Sequence, residues 1–205
     1  MTLTIIEAAA IKKLTTLDRV KAELGVSGAA DDAYLGALIN EVSTAVATWC
    51  RRCFARETVR QVFRLETARR SLALARWPNI TINAISIGDT DFSPVEFEAD
   101  DSGLLYRLDA SGNRTDWCRG RVTVEYDAGY VLPGEEDRDL PQDIERAALM
   151  LIKADWYARD RDPLIRTDAT EGIGSTAYQV GGFRTVSGFP PEVEGLLSGY
   201  RAVII

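Results

Sequence analysis

Apolar residues recur at steps of three and four in two stretches of the chain and at steps of two between them, and this change of period sets the expected fold. In the first stretch, Thr15 followed by Asp18 has the form of a capping box, and Leu17, Val20 and Leu24 share a helical face that Gly25 ends. Asp31-Asp32 opens a second helix, in which Leu35, Leu38, Ile39, Val42, Ala45, Val46, Trp49 and Cys53 form one stripe. Such a stripe serves as a core face or as a seam between subunits, and burial within the fold is the simpler reading. After Phe54 the period falls to two. Over residues 58–65, Val59, Phe63 and Leu65 face one way and Arg60 and Arg64 the other, as a sheet with one wet face requires. Residues 71–75, 95–98 and 104–108 read as further strands, and Ser111-Gly112-Asn113 as a turn. Ile80, Ile82 and Ala84 give way to Ile85 and Ile87 in the opposite phase, which predicts a bulge near Asn83-Ala84.

The second helical stretch follows a strand. Val122, Val124 and Tyr126 alternate with Thr123 and Glu125, Ala128-Gly129-Tyr130 turns the chain, and Pro141 and Asp143 suit a first helical turn. From Ile144 to Tyr157 the apolar residues exceed one stripe, so the pattern predicts a helix buried nearly all round with Leu151 at its centre. Residues 163–190 then lose all periodicity and are rich in Gly, Thr and Ser. We expect this stretch to be mobile in an isolated subunit and ordered by neighbours, with Tyr178, Val180 and Phe183 as inter-subunit anchors. Pro190-Pro191 restarts order, Val193, Leu196, Leu197 and Tyr200 share a helical face, and three apolar residues end the chain. Residues 1–13 read as an arm rather than a core element. The expected layout is one α+β domain over 1–205. It has a helical part at 15–54, an inserted antiparallel sheet at 57–127, a central helix at 140–162, a flexible loop at 163–189, and a C-terminal helix and tail at 190–205.

Composition narrows the chemistry. With 205 residues, 46% of them hydrophobic, the chain has enough apolar material for a core without disulfides, and its three cysteines form no even framework. Cys50-Arg51-Arg52-Cys53 matches C-x-x-C but falls at a helix end, where a redox pair is not expected. A formal charge of -7 disfavours general affinity for nucleic acid or an anionic membrane. The absence of histidine removes Ser-His-Asp and Cys-His catalysis and the commonest transition-metal ligand. Glu96, Glu98, Asp100 and Asp101 form a dense carboxylate group and are the candidates for a Mg²⁺-dependent nuclease, although a charge run is more simply a solvated turn. Gly172-Ile173-Gly174 and Gly181-Gly182 follow no strand signal and so make no phosphate loop. Arg51, Arg52 and Arg56 gather where a helix end favours cations. No signal segment or membrane span is evident. From the residues alone, no catalytic, cofactor or metal position stands out, and a binding or assembly role remains.

Several segments also resemble a known family. Thr16-Leu17-Asp18-Arg19-Val20-Lys21-Ala22-Glu23-Leu24, then Asp31-Asp32-Ala33-Tyr34-Leu35, is similar to the start of the head-tail connector (adaptor) proteins of tailed bacteriophages and gene transfer agents. Val124-Glu125-Tyr126-Asp127-Ala128-Gly129-Tyr130 and Leu140-Pro141-Gln142-Asp143-Ile144-Glu145-Arg146-Ala147-Ala148-Leu149-Met150-Leu151 resemble later segments of that family in the same order. The switch of period already predicts three main helices with an inserted antiparallel sheet, and the resemblance adds a structural virion protein without catalysis or cofactor. It implies a ring, often of twelve subunits, beneath the portal at the head-tail junction. That ring carries neck, stopper or tail-completion proteins, lets genomic DNA pass its lumen without specific binding, touches no membrane, and assembles in the host bacterial cytoplasm. It further implies that Tyr200, Arg201, Ala202, Val203, Ile204 and Ile205 dock on the portal, whereas their composition fits equally an edge strand on their own subunit. The competing expectations are a metal-dependent nuclease or other DNA-packaging enzyme, and an unrelated intracellular scaffold.

Overall fold

A computed structural model describes residues 1–159, 167–170, 174–177 and 188–202, the second and third of these as backbone only. It is an α+β fold with antiparallel sheets and, among the described residues, four α-helices. Contacts divide the chain into two compact units. One is Met1–Lys12 with Cys53–Asp139, the other Lys13–Arg52 with Leu140–Ile205.

The first unit is built from β-strands. Its larger sheet has the order β1-β2-β9-β4-β5, from β1 (Thr2–Glu7), β2 (Glu57–Leu65), β9 (Gly120–Ala128), β4 (Thr81–Ile87) and β5 (Thr90–Phe92). A smaller sheet holds β3 (Leu72–Ala73), β7 (Leu104–Leu108) and β6 (Phe97–Ala99), with β8 (Arg114–Thr115) paired to β7. Strand alternation sends Val59, Phe63, Ile85, Val122, Val124 and Tyr126 into one core with Leu72, Phe97, Leu105 and Trp117. Trp117, fully buried, stacks on Phe97 at 5.3 Å between ring centroids and donates its indole N–H to the Leu105 carbonyl.

Three sequence expectations change here. The N-terminal residues form no free arm: Thr2 to Glu7 pair antiparallel with β2 and become the sheet's edge strand, with a register shift between Ile5 and Glu7. The stretch 95–98 is not a strand throughout. Pro94–Glu96 makes a 3₁₀ turn, because Pro94 at its start lacks an N–H and Ser93 and Glu96 close a capping box, and β6 begins only at Phe97. The strand expected at 71–75 shrinks to two residues, since Ala75 N–H donates at 2.9 Å to a side chain, Gln61, rather than to a neighbouring strand. The predicted bulge is present, as a register shift between Ile82 and Ala84 opposite β9.

The second unit is helical. α1 (Leu17–Leu24) ends at Gly25, whose left-handed φ of 67° lets the backbone turn. Its cap is Thr16, not Thr15: the Thr16 side chain accepts from Arg19 N–H at 3.3 Å, while buried Thr15 donates to Glu145 at 3.1 Å. In α2 (Asp32–Cys50), Leu35, Leu38, Ile39, Val42, Val46 and Cys50 are buried, whereas Ala45 is exposed. α3 (Gln142–Ala158) buries Ile144, Ala147, Ala148, Ile152 and Trp156 and exposes Ala154 and Tyr157. It is therefore one-sided, with Leu151 half-buried and Ile152 in the core. Its apolar count overstates its burial because alanine is compatible with either face and Tyr157 stays exposed.

Between α3 and α4 (Pro191–Leu197), β10 (Thr167–Thr170) pairs antiparallel with β11 (Gly174–Ala177), where the sequence pattern gave no strand. The expected anchors Tyr178, Val180 and Phe183 lie outside the described residues.

Candidate interaction surfaces

The last described residues pack on the end of α2. A helix leaves its final carbonyls without intrahelical partners, and here each of three finds one nearby. Arg51 adopts a left-handed φ of 54°, so its N–H reaches the Thr48 carbonyl at 3.1 Å and the next amide, of Arg52, reaches that of Ala47 at 3.1 Å. The Cys50 carbonyl accepts from Ala202 N–H at 2.8 Å. Arg52 donates to the Tyr200 carbonyl at 3.4 Å, and the Arg201 guanidinium lies over the Trp49 ring at 5.2 Å. Trp49 also meets Phe189, 5.9 Å away, below the start of α4. Burial, with the charge of Asp143, raises the Tyr200 phenol above its ordinary pKa.

Of the six residues expected to dock, Tyr200, Arg201 and Ala202 are thus attached to their own helical unit, and Val203, Ile204 and Ile205 lie outside the described residues. Nothing in the sequence pattern signalled the Ala202–Cys50 contact, which joins backbone groups far apart in the chain.

The other candidate groups resolve into local structure. Burial pushes the Cys50 thiol up to about 11, with Arg52 and Arg201 pulling the other way, so the thiol is protonated at neutral pH. Burial also raises Cys53, whose thiol contacts the Ala55 carbonyl. Asp100 Oδ1 accepts from Ser102 N–H, Ser102 Oγ and Leu104 N–H at 3.0, 2.6 and 2.9 Å, forming a turn. Partial burial works to raise its pKa, but together those bonds outweigh it and hold the carboxyl below its usual value. Glu98 pairs with Arg114 through two bonds of 2.9 and 3.1 Å, and Glu96 accepts from Ser93 N–H. Among the described residues no group of three or more His, Cys, Asp or Glu is arranged to hold a metal ion.

The strand-and-turn segment around Gly129 has a structural reason in each residue type. Tyr126 is fully buried, and its hydroxyl donates to Gln61 Oε1 at 2.8 Å and accepts from Arg76 N–H at 3.3 Å. Burial pushes that phenol up to about 12. Gln61, also fully buried, completes the network by donating to the Ala73 carbonyl at 3.1 Å. Gly129 has φ of 114°, and a Cβ there would stand 2.4 Å from the Ala55 carbonyl oxygen. Its neighbour Tyr130 donates to the Phe54 carbonyl at 2.7 Å and accepts from Arg56 N–H at 3.0 Å. The glycine therefore allows two backbones to touch.

Beside this contact a cleft of about 270 Å³ opens in the β unit, lined by Glu7, Arg56, Thr58, Asp127, Glu135 and neighbours. Glu57, also at its wall, is buried, bonded to Lys12 at 2.9 Å and 3.5 Å from Arg76. Burial raises the Glu57 pKa, but the bond to Lys12 and the charges of Lys12 and Arg76 outweigh it, so the net shift is downward. Among the described residues the candidate groups form no common site; two surfaces there are open to recognition, residues 200–202 on the end of α2 and the wet face of the larger sheet with its cleft.

Comparison with known proteins fits a protein of surfaces. No curated protein matches the chain. Among solved structures, a chain from the neck of an empty GTA particle computed with C6 symmetry shares its fold at a TM-score of 0.60 and 17% identity, covering 100% of this chain and 97% of that one. Chains from the virion of a native gene transfer agent particle (TM-score 0.57, 19% identity) and from the neck of a native GTA particle computed with C12 symmetry (0.54, 19%) match over the same shares. A model of the head completion protein family matches residues 13–203, which takes in all of the helical unit but its last two residues, and by that match this chain belongs to the head completion protein family.

Proposed function

We propose that the chain is a structural subunit of a head-tail connector ring, seated beneath the portal of a DNA-filled head and carrying the neck or tail proteins that follow. The observation that carries this reading is the fold shared over the full length of the chain with subunits of GTA necks, one of them in a particle computed with C12 symmetry. Family membership supports a role in completing the head, by assembly rather than catalysis. In this reading, subunits form a ring of twelvefold order whose net negative charge keeps passing DNA from sticking. Tyr178, Val180 and Phe183 contact neighbouring subunits, and the virion neck is the site of residence.

Portal docking falls on Val203, Ile204 and Ile205, with Tyr200 to Ala202 as their mount on α2. Three aliphatic side chains contribute roughly 1.5–3 kcal/mol each when buried, before ordering costs, and a ring multiplies that by avidity. The experiment is negative-stain imaging and co-sedimentation of the chain with portal assemblies. A chain ending at Ala202 keeps the bond to Cys50 and is expected to fold normally while losing attachment. Equal attachment by the shortened chain removes the docking role from the tail, and absence of ring-shaped particles with or without portal removes the connector reading.

A further inference from the structure

The wet face of the larger sheet sorts its charges along the strands. At one end Arg64 on β2 stands directly opposite Arg121 on β9, both exposed, and among the described residues neither guanidinium has a hydrogen bond or ion pair. In the middle Arg60 is neutralised by Glu125 at 2.6 Å. At the other end Glu7 lies beside Thr58, and Thr58 opposite Asp127, on the wall of the 270 Å³ cleft that Glu135 also lines; Arg56 is the one cation among the lining residues, against the carboxylates of Glu7, Glu57, Asp127 and Glu135. Six strand residues separate the two ends, roughly 20 Å. Like charges placed opposite one another on adjacent strands weaken a sheet, so this fold keeps an arginine pair that its own unit does not use. Asp89 in the neighbouring β4–β5 turn and Asp91 on β5, both exposed, reduce the net charge there without bonding to either arginine.

We propose that Arg64 and Arg121 of one subunit dock on the Glu7–Glu135 end of the same sheet face in the next subunit, a head-to-tail contact between copies of this chain. The inference rests on the ring reading above, because a ring requires two different, mutually complementary patches on each subunit. Charge complementarity selects a second copy over nucleic acid. A duplex laid along this face would run from the arginines onto Glu7 and Asp127 within roughly 20 Å, whereas a second copy brings its acidic end onto the basic one.

The test uses sedimentation velocity of the full chain at several salt concentrations, with two double variants, R64E/R121E and E7K/E135K, each checked for an unchanged melting transition. All four side chains are exposed and make no bond within the unit. The intact chain should associate at low salt and loosen as salt rises, and each variant alone should associate about tenfold more weakly or worse. An equimolar mixture of the two variants should recover association, since the reversed ends complement each other. Variants that associate like the intact chain, or a mixture that does not recover, overturn the proposal. Undiminished association of R64E/R121E together with lost retention on duplex DNA assigns the pair to nucleic acid instead. An intact chain that stays monomeric at low salt on its own and on portals overturns the ring reading itself.

Discussion

In the helical unit the helix ends are closed by neighbours in sequence, even though Thr15–Glu145 and Ala202–Cys50 tie distant segments together, whereas the tight joints of the β unit are made by residues dozens of positions apart. In the helical unit, Thr16 caps α1 through Arg19, Gly25 ends it, and Arg51 and Arg52 return to Thr48 and Ala47. In the β unit, Tyr126 reaches Gln61, Gly129 touches Ala55, and Trp117 exchanges both backbone bonds with Arg69. The units also interrupt each other: the β unit takes its edge strand from before α1, so it is not simply an insertion between helices. Substitutions should therefore be tolerated on different grounds in the two. Helical positions depend on burial, while certain β positions depend on backbone geometry whatever their burial.

The largest effect is expected at α3. Ile152→Asp places a charge at a position 1% exposed, without a partner, and should cost about 5 kcal/mol or more, comparable with the ~5–15 kcal/mol that holds a domain together. Leu151→Asp, one residue away and half-buried, should cost about 1–2 kcal/mol. Urea unfolding followed by far-UV circular dichroism separates the two. Equal losses would mean that burial on α3 is not one-sided, and that the helix is closer to the all-round pattern its apolar count predicts.

Gly129→Ala probes the other principle. The added Cβ would meet backbone, not a side chain able to move, and φ of 114° is a region that residues with a Cβ rarely occupy. A loss of about 3–5 kcal/mol is expected in the same urea measurement, although the new side chain is only a methyl group. A loss below 1 kcal/mol would show that the contact with Ala55 opens freely, and the distinction between the units would weaken.

Legibility followed the same division. The three helices nearest the motifs were readable because their caps and periods are local: Gly25 after Leu24, Asp32 at the start of α2, and Gln142 after Pro141. The bulge at Ile82/Ala84 was readable because a phase slip is written in consecutive residues. β1 was not, since six residues with an apolar run become a strand only by pairing with β2 more than fifty positions on. Nor was the role of Trp117, an isolated aromatic without periodic neighbours, or of Gln61, whose amide is buried because Tyr126 and the 73–75 backbone meet it there. For the candidate surfaces the sequence named the chain end, but the attachment of Ala202 to Cys50 and the opposition of Arg64 to Arg121 are matters of register and packing.

The smallest predicted effect has the opposite sign to that at Gly129 and so tests the comparison most sharply. Gly36 lies inside α2, where its backbone is helical and a Cβ would meet nothing within 4 Å. A helical glycine gives up more conformational freedom on folding than alanine does, and nothing in the surrounding packing asks for it. Gly36→Ala should therefore stabilise the isolated chain by about 0.5–1 kcal/mol, raising its melting temperature by about 1–4 °C. Gly36→Ala and Gly129→Ala add the same methyl group, one half-buried in a helix and the other where two backbones touch. Divergence in sign would show local propensity governing at the helix position and long-range backbone contact at the β position. If Gly36→Ala instead lowers the melting temperature, α2 carries a close contact of its own, and the contrast between helix positions set by local propensity and β joints set by long-range backbone contact fails at its simplest point.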